Sequence, residues 1–370
     1  MKKKIGIVTF HRAYNYGALL QAYALQKKIN EENDAYIIDY RNKNVEKSYK
    51  LLSLDFSNIK MFIKSLIASV RNFNKKYNRF KKFKKFIVDE FKLSEEYKNE
   101  NILKEKFPKY DIYITGSDQV WNPQITGTLS DIYTLNFGDN APKRISYAAS
   151  CGSESYIVEN KSLYKEKLSK LDNISVREES TQKELTKIFD KDVTTVLDPT
   201  LLLKKEEWES VIENVNCEIS EKYILAYVVA KDDEYFKIVN ELSKKTGLKV
   251  VHFYHKNNDL INVIKNAYSV GPLEFVKLIK ESEYVVATSF HATVFSIIFN
   301  KNFFVIPHKK TGSRVIDLLD KLGLSNRACH TLEEFKQIDY SLKSDWKRVN
   351  KKIIEEREKS LNWLKEAIDE

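Results

Sequence analysis

The segment EYVVATSFHATVFSIIFNKNFFVIP, residues 283–307, decides the fold of this chain. Its apolar run at residues 284–287 is long enough for a buried strand, and residues 303–306 form a second run of this kind. Between them lies a stretch with apolar side chains at helical spacing, preceded by Thr288 and Ser289, which are residue types that cap helix N-termini. The segment therefore predicts a strand, a helix and a second parallel strand, which is the repeating unit of an α/β sheet.

His291 lies in the first turn of this predicted helix. In open α/β sheets, ligands bind beyond the carboxyl ends of the strands, and a helix N-terminus attracts anions. His291 is therefore a candidate catalytic residue. A histidine that caps the helix or fills the core would occupy the same position, so the pattern leaves both interpretations open.

The N-terminal segment predicts a second unit of the same kind. Residues 4–10 form an apolar strand and residues 18–29 an amphipathic helix, and the turn HRAYNYG separates them. His11, Arg12, Asn15 and Gln21 are placed where a ligand could meet the helix, although Asn15 and Gly17 are also residues that simply shape turns. Because the segment has no GxGxxG motif, it does not indicate a dinucleotide.

A further strand end carries polar and aromatic residues. The strand at residues 110–115 leads into the sequence GSDQVWNP, which contains Asp118, Trp121 and Asn122. A tryptophan at the carboxyl end of a strand is either a platform for a sugar ring or a buried anchor for its own loop. Both interpretations stay open at this point.

The charge of the chain indicates an anionic partner. The formal net charge is +10, from 62 Lys and Arg against 52 Asp and Glu. Such an excess favours a phosphorylated substrate, an anionic membrane surface or nucleic acid. No aromatic nucleic-acid signature accompanies the charge, so we expect no nucleic acid partner.

Cysteine and histidine usage argues against a metal centre. The chain has three widely spaced cysteines and six scattered histidines, with no disulfide framework, zinc-ligand spacing or HExxH motif. No apolar run is long enough for a membrane span. The start MKKKIGIVTFH has too short an apolar part for a signal peptide and predicts a first strand instead. We expect no metal and a cytoplasmic location.

At 370 residues, the length suits two α/β domains. A polar stretch at residues 213–221 separates two series of predicted strands. We predict an N-terminal domain at residues 1–210 and a C-terminal domain at residues 211–335. A charged helix at residues 336–370 is expected to pack across both.

Residues 57–91 form an insert of different composition within the first domain. Apolar residues recur at spacings of three and four, and about ten Lys and Arg lie between them. The pattern predicts one or two basic amphipathic helices, which is typical of an element that lies on an anionic membrane surface. An insert packed on the body of the protein with a solvated basic face fits the pattern as well.

Six motifs in order along the chain resemble the polysaccharide pyruvyl transferase family. They are NYGALLQAYAL at 15–25, GSDQVWNP at 116–123, SYAAS at 146–150, SVREES at 175–180, LDPTLLL at 197–203 and TSFHATVFSIIFNK at 288–301. The resemblance implies an α/β fold of two Rossmann-like, doubly wound domains that face a cleft, as in GT-B glycosyltransferases. It also implies transfer of the pyruvyl group of phosphoenolpyruvate to two hydroxyls of a sugar, which forms a cyclic ketal without a further cofactor.

The resemblance assigns roles to two residues. His291 is the expected general acid, because histidine exchanges protons near neutral pH, and Arg177 is expected to bind the carboxylate or phosphate of the donor. Some members have an arginine where this chain has Ser289, so we expect the second donor-binding cation to come from Arg314. Lys301, Lys309 and Lys310 are weaker candidates for that cation. Candidates for acceptor binding are His11, Asn15, Gly17, Asp118, Trp121 and Asn122.

The acceptor implied by the resemblance is a precursor of a cell-surface polysaccharide, such as an exopolysaccharide or capsule, often carried on a lipid at the inner membrane face. The basic insert would then place the enzyme at that surface. Two rival functions fit a similar fold. One is a glycosyltransferase that uses a nucleotide sugar, for which Glu274 is the candidate ribose contact, and the other is a non-catalytic protein that binds a glycan or a membrane.

Overall fold

The computed structural model describes residues 2–47, 49, 57, 59–137, 143–217, 219–229, 232–253, 259–308 and 312–370. Within the helix at residues 59–90, it describes side chains from residue 73 onward. Strands and helices alternate along these ranges, and the strands collect into two parallel sheets.

The first sheet has seven strands within the described residues, in the spatial order β3-β2-β1-β4-β5-β6-β7. They are β1 (Lys4–Val8), β2 (Asp34–Tyr40), β3 (Leu93–Tyr97), β4 (Ile112–Asp118), β5 (Arg144–Ala149), β6 (Asn173–Val176) and β7 (Val193–Thr195). The helices of this part are α1 (Tyr16–Ile29), α2 (Lys43–Lys47), α3 (Ile59–Glu90), α4 (Glu100–Glu105), α5 (Pro123–Thr126), α6 (Ser155–Glu159), α7 (Lys161–Leu168), α8 (Glu179–Thr186) and α9 (Lys205–Val211). We call this part the N-terminal lobe.

The second sheet has five strands within the described residues, in the order β10-β9-β8-β11-β12. They are β8 (Tyr223–Tyr227), β9 (Lys249–His252), β10 (Val263–Asn266), β11 (Tyr284–Ala287) and β12 (Asn302–Val305). The accompanying helices are α10 (Asp233–Thr246), α11 (Pro272–Glu281), α12 (Phe290–Ile298), α13 (Ser313–Leu322), α14 (Leu332–Gln337) and α15 (Trp346–Asp369). The strands and the helices α10 to α14 form the C-terminal lobe, and the predicted unit at residues 283–307 is confirmed as β11, α12 and β12.

Both sheets are doubly wound. The strand order reverses between β1 and β4 in the first sheet and between β8 and β11 in the second. Such reversals open a crevice at the carboxyl ends of the strands, where α/β proteins bind ligands. The helix that follows β1 is α1, and the helix that follows β11 is α12, so each begins at one of these crevices. The predicted architecture of two Rossmann-like lobes facing a cleft is confirmed.

The start of α1 is buried against the other lobe. The ring of Tyr16 stacks on Phe275 of α11, with centroids 4.4 Å apart and an interplanar angle of 5°. Its hydroxyl donates a hydrogen bond of 3.0 Å to the carbonyl of Val270. Because these contacts cross the cleft, they fix the N-terminus of α1 relative to the C-terminal lobe.

The C-terminal helix α15 contacts both lobes. Ser360 Oγ accepts a hydrogen bond from the amide of Leu197 at 3.0 Å, and Arg357 donates to the carbonyl of Leu201 at 2.7 Å. Glu356 pairs with Lys321 of α13 at 2.9 Å. The helix therefore ties the segment after β7 to the C-terminal lobe.

The basic segment forms one long helix, α3. Its last three turns are packed, since Phe83, Phe86 and Ile87 are buried in the hydrophobic core. Lys82 also pairs across the lobes with Glu274 at 2.6 Å. The prediction of a packed insert holds for this end of the helix, whereas residues 73–77 remain largely exposed.

One buried group in the C-terminal sheet gives a pH-dependent prediction. His252 is fully buried, and neither ring nitrogen has a hydrogen-bond partner. Burial, followed by the charge of Lys75, lowers the pKa of His252 to about 4. Below about pH 6.5 the unfolded chain therefore binds more protons than the folded chain. The free energy of unfolding is therefore highest, as far as His252 is concerned, above that pH and decreases as the pH falls towards 4.

We expect the urea unfolding free energy to fall by about 1 to 2 kcal/mol between pH 7 and pH 5 through His252. His252→Leu should flatten this slope, and at pH 7 it should leave stability unchanged or raised because it removes two buried polar atoms without partners. The exposed His330 is the matched control, and His330→Leu should keep the wild-type slope. An unchanged slope in His252→Leu would contradict the prediction.

Candidate active site

The two helix N-termini meet at His291. Ser289 caps α12, and its Oγ accepts from the amide of Ala292 at 3.5 Å. Asn15 caps α1, and its Oδ1 accepts from the amide of Gly17 at 2.9 Å. A Cβ atom on Gly17 would lie 1.9 Å from Nδ1 of His291, so only glycine leaves room for the ring.

His291 points its other ring nitrogen at a buried carboxylate. The residue is 7% exposed, and its Nε2 lies 3.5 Å from Oδ2 of Asp198. This distance is longer than a regular hydrogen bond, and Nε2 has no hydrogen-bond partner. The imidazole lies with Nε2 towards the carboxylate of Asp198 and Nδ1 towards Gly17.

Asp198 is the centre of the cluster. Its side chain has no exposed surface, and its Oδ1 accepts from the amide and the hydroxyl of Thr200 at 3.0 and 2.6 Å. Its Oδ2 accepts from Nη1 of Arg177 at 2.9 Å. Burial acts to raise the pKa of Asp198, but His291, Arg177 and Thr200 hold it well below its ordinary value. These contacts favour the ionised carboxylate beside the imidazole.

Sequence reasoning did not assign Asp198 a role. The residue stands in the motif LDPTLLL, and the available signal is an ionisable side chain inside an apolar run. Charged residues are almost never fully buried unless they are paired. An aspartate in such a run therefore predicts a buried partner, although the sequence does not say which one.

Arg177 follows β6 and is surrounded by carboxylates. Its Nε donates to Glu178 at 3.0 Å, its Nη1 donates to Asp198, and its Nη2 lies 4.0 Å from Asp118. The guanidinium also lies over the ring of Phe290, 4.6 Å from the centroid. Burial acts to lower the pKa of Arg177, but the three carboxylates raise it overall. The buried Nη2 has no hydrogen-bond partner, so its N–H groups could donate hydrogen bonds to a ligand.

A small cavity lies between Arg177 and helix α13. It is lined by Arg177, Asp198, Phe290, Arg314 and Asp317, among others. Burial, followed by the charges of neighbouring glutamates, raises the pKa of Asp317 to about 6, and its Oδ2 is buried without a partner. The cavity therefore combines two guanidinium groups with a carboxyl group that takes up a proton in mildly acidic solution.

The family profile of polysaccharide pyruvyl transferases matches residues 15–310, which include His291, Asp198 and Arg177. The chain belongs to the polysaccharide pyruvyl transferase family. The match covers most of the chain, and it confirms the family that the six motifs indicate. No curated protein sequence matches the chain significantly.

Solved structures resemble this pyruvyl transferase family member at low sequence identity. A UDP complex of MnaA from S. aureus has a TM-score of 0.49 at 14% identity, covering 95% of this chain and 91% of that chain. UDP-GlcNAc 2-epimerase from Methanocaldococcus jannaschii has a TM-score of 0.49 at 12% identity, covering 95% and 98%. The glycosyltransferase SnogD from Streptomyces nogalater has a TM-score of 0.42 at 9% identity, covering 99% and 100%. At these values the similarity carries no information about substrate.

The structure changes one of the predicted donor contacts. Lys301 lies beyond the carboxyl end of α12, which extends about 10 Å from His291 to Ile298, and its Nζ donates to the carbonyl of Lys280 at 2.9 Å. The prediction that Lys301 binds the donor is therefore wrong. Arg314 lines the cavity with Arg177 and stays a candidate, whereas Lys309 and Lys310 lie outside the described residues.

The candidates for acceptor binding divide into two groups. Trp121 is fully buried, and its Nε1 donates to the carbonyl of Tyr133 at 3.1 Å, so it anchors its loop and the sugar-platform interpretation is wrong. Asn122 is buried and caps α5 through the amide of Gln124 at 3.0 Å.

The ring nitrogens of His11 also contact other groups of the protein. They contact the carbonyl of Thr9 at 3.1 Å and the carboxylate of Asp39 at 2.9 Å. The residues that the structure brings to the cluster are Asp118, beside Arg177, and Gly17, beside His291. The turn-shaping interpretation is confirmed for Asn15, which caps α1, whereas Gly17 lies in the first turn of α1 and leaves room for the ring of His291.

Glu274, the candidate ribose contact of the alternative glycosyltransferase function, also makes internal contacts. Glu274 accepts from the amide of Gly271 at 3.0 Å, where it caps α11, and it pairs with Lys82. Over the described part of the chain, no group of three or more His, Cys, Asp or Glu side chains is arranged to hold a metal ion. The same residues contain no helix that is both long and apolar enough to cross a bilayer.

Proposed function

We propose that the protein transfers the pyruvyl group of phosphoenolpyruvate to two hydroxyls of a sugar in a cell-surface polysaccharide precursor, forming a cyclic ketal. The observation that carries the proposal is the contact between His291 and Asp198 at the point where the two lobes meet. A buried carboxylate that stabilises an imidazolium is the arrangement expected around a histidine that delivers a proton. Membership of the polysaccharide pyruvyl transferase family supports transfer of a pyruvyl group to a polysaccharide.

The proposed chemistry begins with a proton transfer from His291 to the methylene carbon of phosphoenolpyruvate. The methylene becomes a methyl group, and positive charge develops at C2 of the donor. One sugar hydroxyl attacks C2 and gives up its proton. The C2–O bond to phosphate then breaks, and the second hydroxyl attacks C2 and loses its proton as the ketal closes. One of the two released protons restores the imidazolium of His291, and the other leaves with the phosphate.

Asp198 has two tasks in this scheme. It faces Nε2 of His291, and we therefore assign the transferred proton to Nδ1. Its negative charge also stabilises the imidazolium before the transfer, because opposite charges favour each other strongly where water is excluded. No step requires a metal or a cofactor besides the donor.

The donor anion is proposed to bind between Arg177 and Arg314. Phosphoenolpyruvate carries a carboxylate and a phosphate, and guanidinium groups bind both through paired hydrogen bonds. Nη2 of Arg177 is buried without a partner, and Arg314 approaches the same cavity from the first turn of α13. Ser289 ends the strand-to-helix turn beside His291 and completes the donor side of the site.

Thermal-shift titration tests the proposal directly, because a ligand that binds the folded state raises the melting temperature by mass action. We expect phosphoenolpyruvate to stabilise the protein and UDP-N-acetylglucosamine, taken as a representative nucleotide sugar, to have no effect. Stabilisation by the nucleotide sugar alone would favour a glycosyltransferase. No response to either ligand, together with binding of the glycan alone, would favour a non-catalytic binding protein.

Arg314 gives a prediction on donor affinity. Removing a charged hydrogen bond costs about 1.5 to 3 kcal/mol, so Arg314→Gln should weaken phosphoenolpyruvate binding roughly 10- to 150-fold. Lys321 lines the same cavity but pairs with Glu356 at 2.9 Å, so Lys321→Gln removes the same charge and should change the affinity less than about threefold. The measurement is isothermal titration of the donor. Equal affinities in Arg314→Gln and wild type would remove Arg314 from the donor site.

We also propose that the exposed part of α3 lies on an anionic membrane surface, where lipid-linked acceptors are presented. Phe73 and Tyr77 are 38% and 37% exposed and stack with centroids 5.8 Å apart. Lys81 lies over the ring of Tyr77 at 4.8 Å, and exposed Lys75 and Lys84 extend the basic surface. Exposed aromatic rings flanked by lysines are typical of elements that lie at a lipid interface.

The membrane prediction is reversible binding to vesicles that contain phosphatidylserine, lost at high salt and absent with neutral vesicles. Each basic residue near an anionic bilayer contributes about 1 kcal/mol, so replacing Lys75, Lys81 and Lys84 by glutamate should weaken binding at least 100-fold. Lys82 is left in place because it pairs with Glu274 across the lobes. Vesicle co-sedimentation at low salt is the measurement.

A matched variant separates this surface from the net charge of the protein. Lys161, Lys165 and Lys183 are exposed on other helices of the same lobe, and their replacement by glutamate changes the net charge equally. This variant should retain most of the vesicle binding. If the wild-type protein does not bind anionic vesicles at low salt, α3 is a packed helix with a solvated basic face.

A further inference from the structure

Arg79 of α3 contacts both lobes beside the site. Its Nη2 donates to the carbonyl of Tyr14 at 3.1 Å, and its Nη1 donates to the carbonyl of Tyr268 at 3.1 Å and to the hydroxyl of Tyr16. Tyr14 lies in the turn before α1, Tyr16 is the first residue of α1, and Tyr268 lies in the loop before α11. One guanidinium therefore joins the start of α1, which contacts His291, to the opposite lobe.

Aromatic rings enclose the same guanidinium. Its carbon lies 4.4 Å from the ring centroid of Tyr16, 4.5 Å from that of Phe83 and 5.3 Å from that of Tyr268. A planar cation that both stacks and donates in a fixed direction is a property of arginine that lysine lacks. The contacts therefore depend on the shape of the side chain as well as on its charge.

The bonded residues flank the contact with His291. Asn15 lies between Tyr14 and Tyr16, and Gly17 follows directly. Gly17 has so little room against Nδ1 of His291 that a single added carbon would overlap the ring. A small shift of this turn therefore changes the position of the nitrogen that carries the transferred proton.

We propose that Arg79 is a positioning residue, which holds the turn at residues 14–17 against His291 and so sets the geometry of proton transfer. The inference rests on the proposed role of His291. It assigns to α3 a second task that differs from surface binding, because Arg79 lies on the packed side of the helix, near the buried Phe83.

The expected loss is in turnover and not in donor affinity. A displacement of about 1 Å in a reacting group can lower the rate about 100-fold, whereas the cavity of Arg177 and Arg314 does not contact Arg79. Arg79→Met keeps most of the side-chain length and removes every donor. It should lower kcat for phosphate release from phosphoenolpyruvate by about 10- to 100-fold and leave KM for phosphoenolpyruvate within threefold.

The matched control lies on the same helix. Lys82 also crosses the lobes, through Glu274, but does not contact the turn. Lys82→Met should therefore leave kcat within twofold. Arg79→Lys keeps the charge without the planar fork, and we expect it to recover less than half of the lost turnover. Equal losses in Arg79→Met and Lys82→Met would overturn the inference, as would a wild-type kcat in Arg79→Met.

A second readout is independent of catalysis. Hydrogen exchange at the amides of residues 16–20 should become at least tenfold faster in Arg79→Met and stay unchanged in Lys82→Met, because only the first variant releases the turn. Unchanged exchange in Arg79→Met would overturn the inference even if turnover fell. If the wild-type protein releases no phosphate from phosphoenolpyruvate with any sugar acceptor, the proposed function fails, and the exchange comparison still decides whether Arg79 holds the turn.

Discussion

Replacing His291 by glutamine is expected to lower the turnover of pyruvyl transfer by about 10²- to 10⁴-fold, the range for loss of a general acid. Glutamine keeps a polar side chain of similar length beside Asp198 but does not deliver a proton to carbon. Because the donor anion is bound by Arg177 and Arg314, its dissociation constant should change far less than the turnover. The measurement is phosphate release from phosphoenolpyruvate in the presence of a sugar acceptor.

The exposed His330 supplies a matched substitution, and His330→Gln should retain wild-type turnover. Donor titration of the His291→Gln protein separates the two roles that a histidine in this position could have. A turnover within threefold of wild type would remove His291 from the proton-transfer step. A large rise in the donor dissociation constant with unchanged turnover at saturation would make His291 a binding residue instead.

The sequence predicts the βαβ unit around His291 well because its determinants are local. Apolar runs, a capping residue and a break at residues 300–302 lie next to each other in the chain, and the structure places β11, α12 and β12 accordingly. The reversal of strand order is not local, since it depends on which strands pair. The ordered motifs supplied that information through the family resemblance and not through periodicity.

Local sequence patterns do not predict which residues contact each other in the site. Asp198 and His291 are separated by more than 90 residues, and no spacing rule connects them. For Lys301 the error is the opposite one, because closeness to His291 in sequence suggested a shared site. Lys301 follows the carboxyl end of α12, whereas His291 lies at the N-terminal end of this helix. For Trp121, the residue type suits both a platform and an anchor, and only the packing around it decides between them.

Helix α3 shows the same limit for amphipathic patterns. Its spacing of apolar residues predicts a helix with one apolar face, but a face does not name its partner. In the structure, the end near Phe83 packs into the core between the lobes, while Phe73 and Tyr77 are exposed. One periodic pattern therefore covers two different environments along a single helix.

Replacing Arg177 by alanine is expected to lower the unfolding free energy by about 3 to 5 kcal/mol, the cost of breaking a buried ion pair by removing one partner. Asp198 and Glu178 are 2% and 3% exposed, and without the guanidinium each remains buried next to the other's charge. Urea unfolding, with phosphoenolpyruvate absent, is the measurement. Arg41 is the matched control, since it pairs with Glu46 and Glu96 at the surface, and Arg41→Ala should cost no more than about 1 kcal/mol.

The loss of unfolding free energy caused by Arg177→Ala should be smaller when the negative charge of Asp198 is removed as well. In the double variant Arg177→Ala and Asp198→Asn, the loss should be smaller than the sum of the two single losses by about 1 to 3 kcal/mol, because the residues share one network. Strict additivity would mean that Asp198 gains nothing from Arg177, and the site would then have to be held by other contacts. The same experiment limits what donor affinity in Arg177→Ala can show, since a weakened scaffold and a lost ligand contact both reduce binding. Arg314→Gln is therefore the cleaner test of the donor site, and Arg177→Ala the cleaner test of the charge network that orients His291.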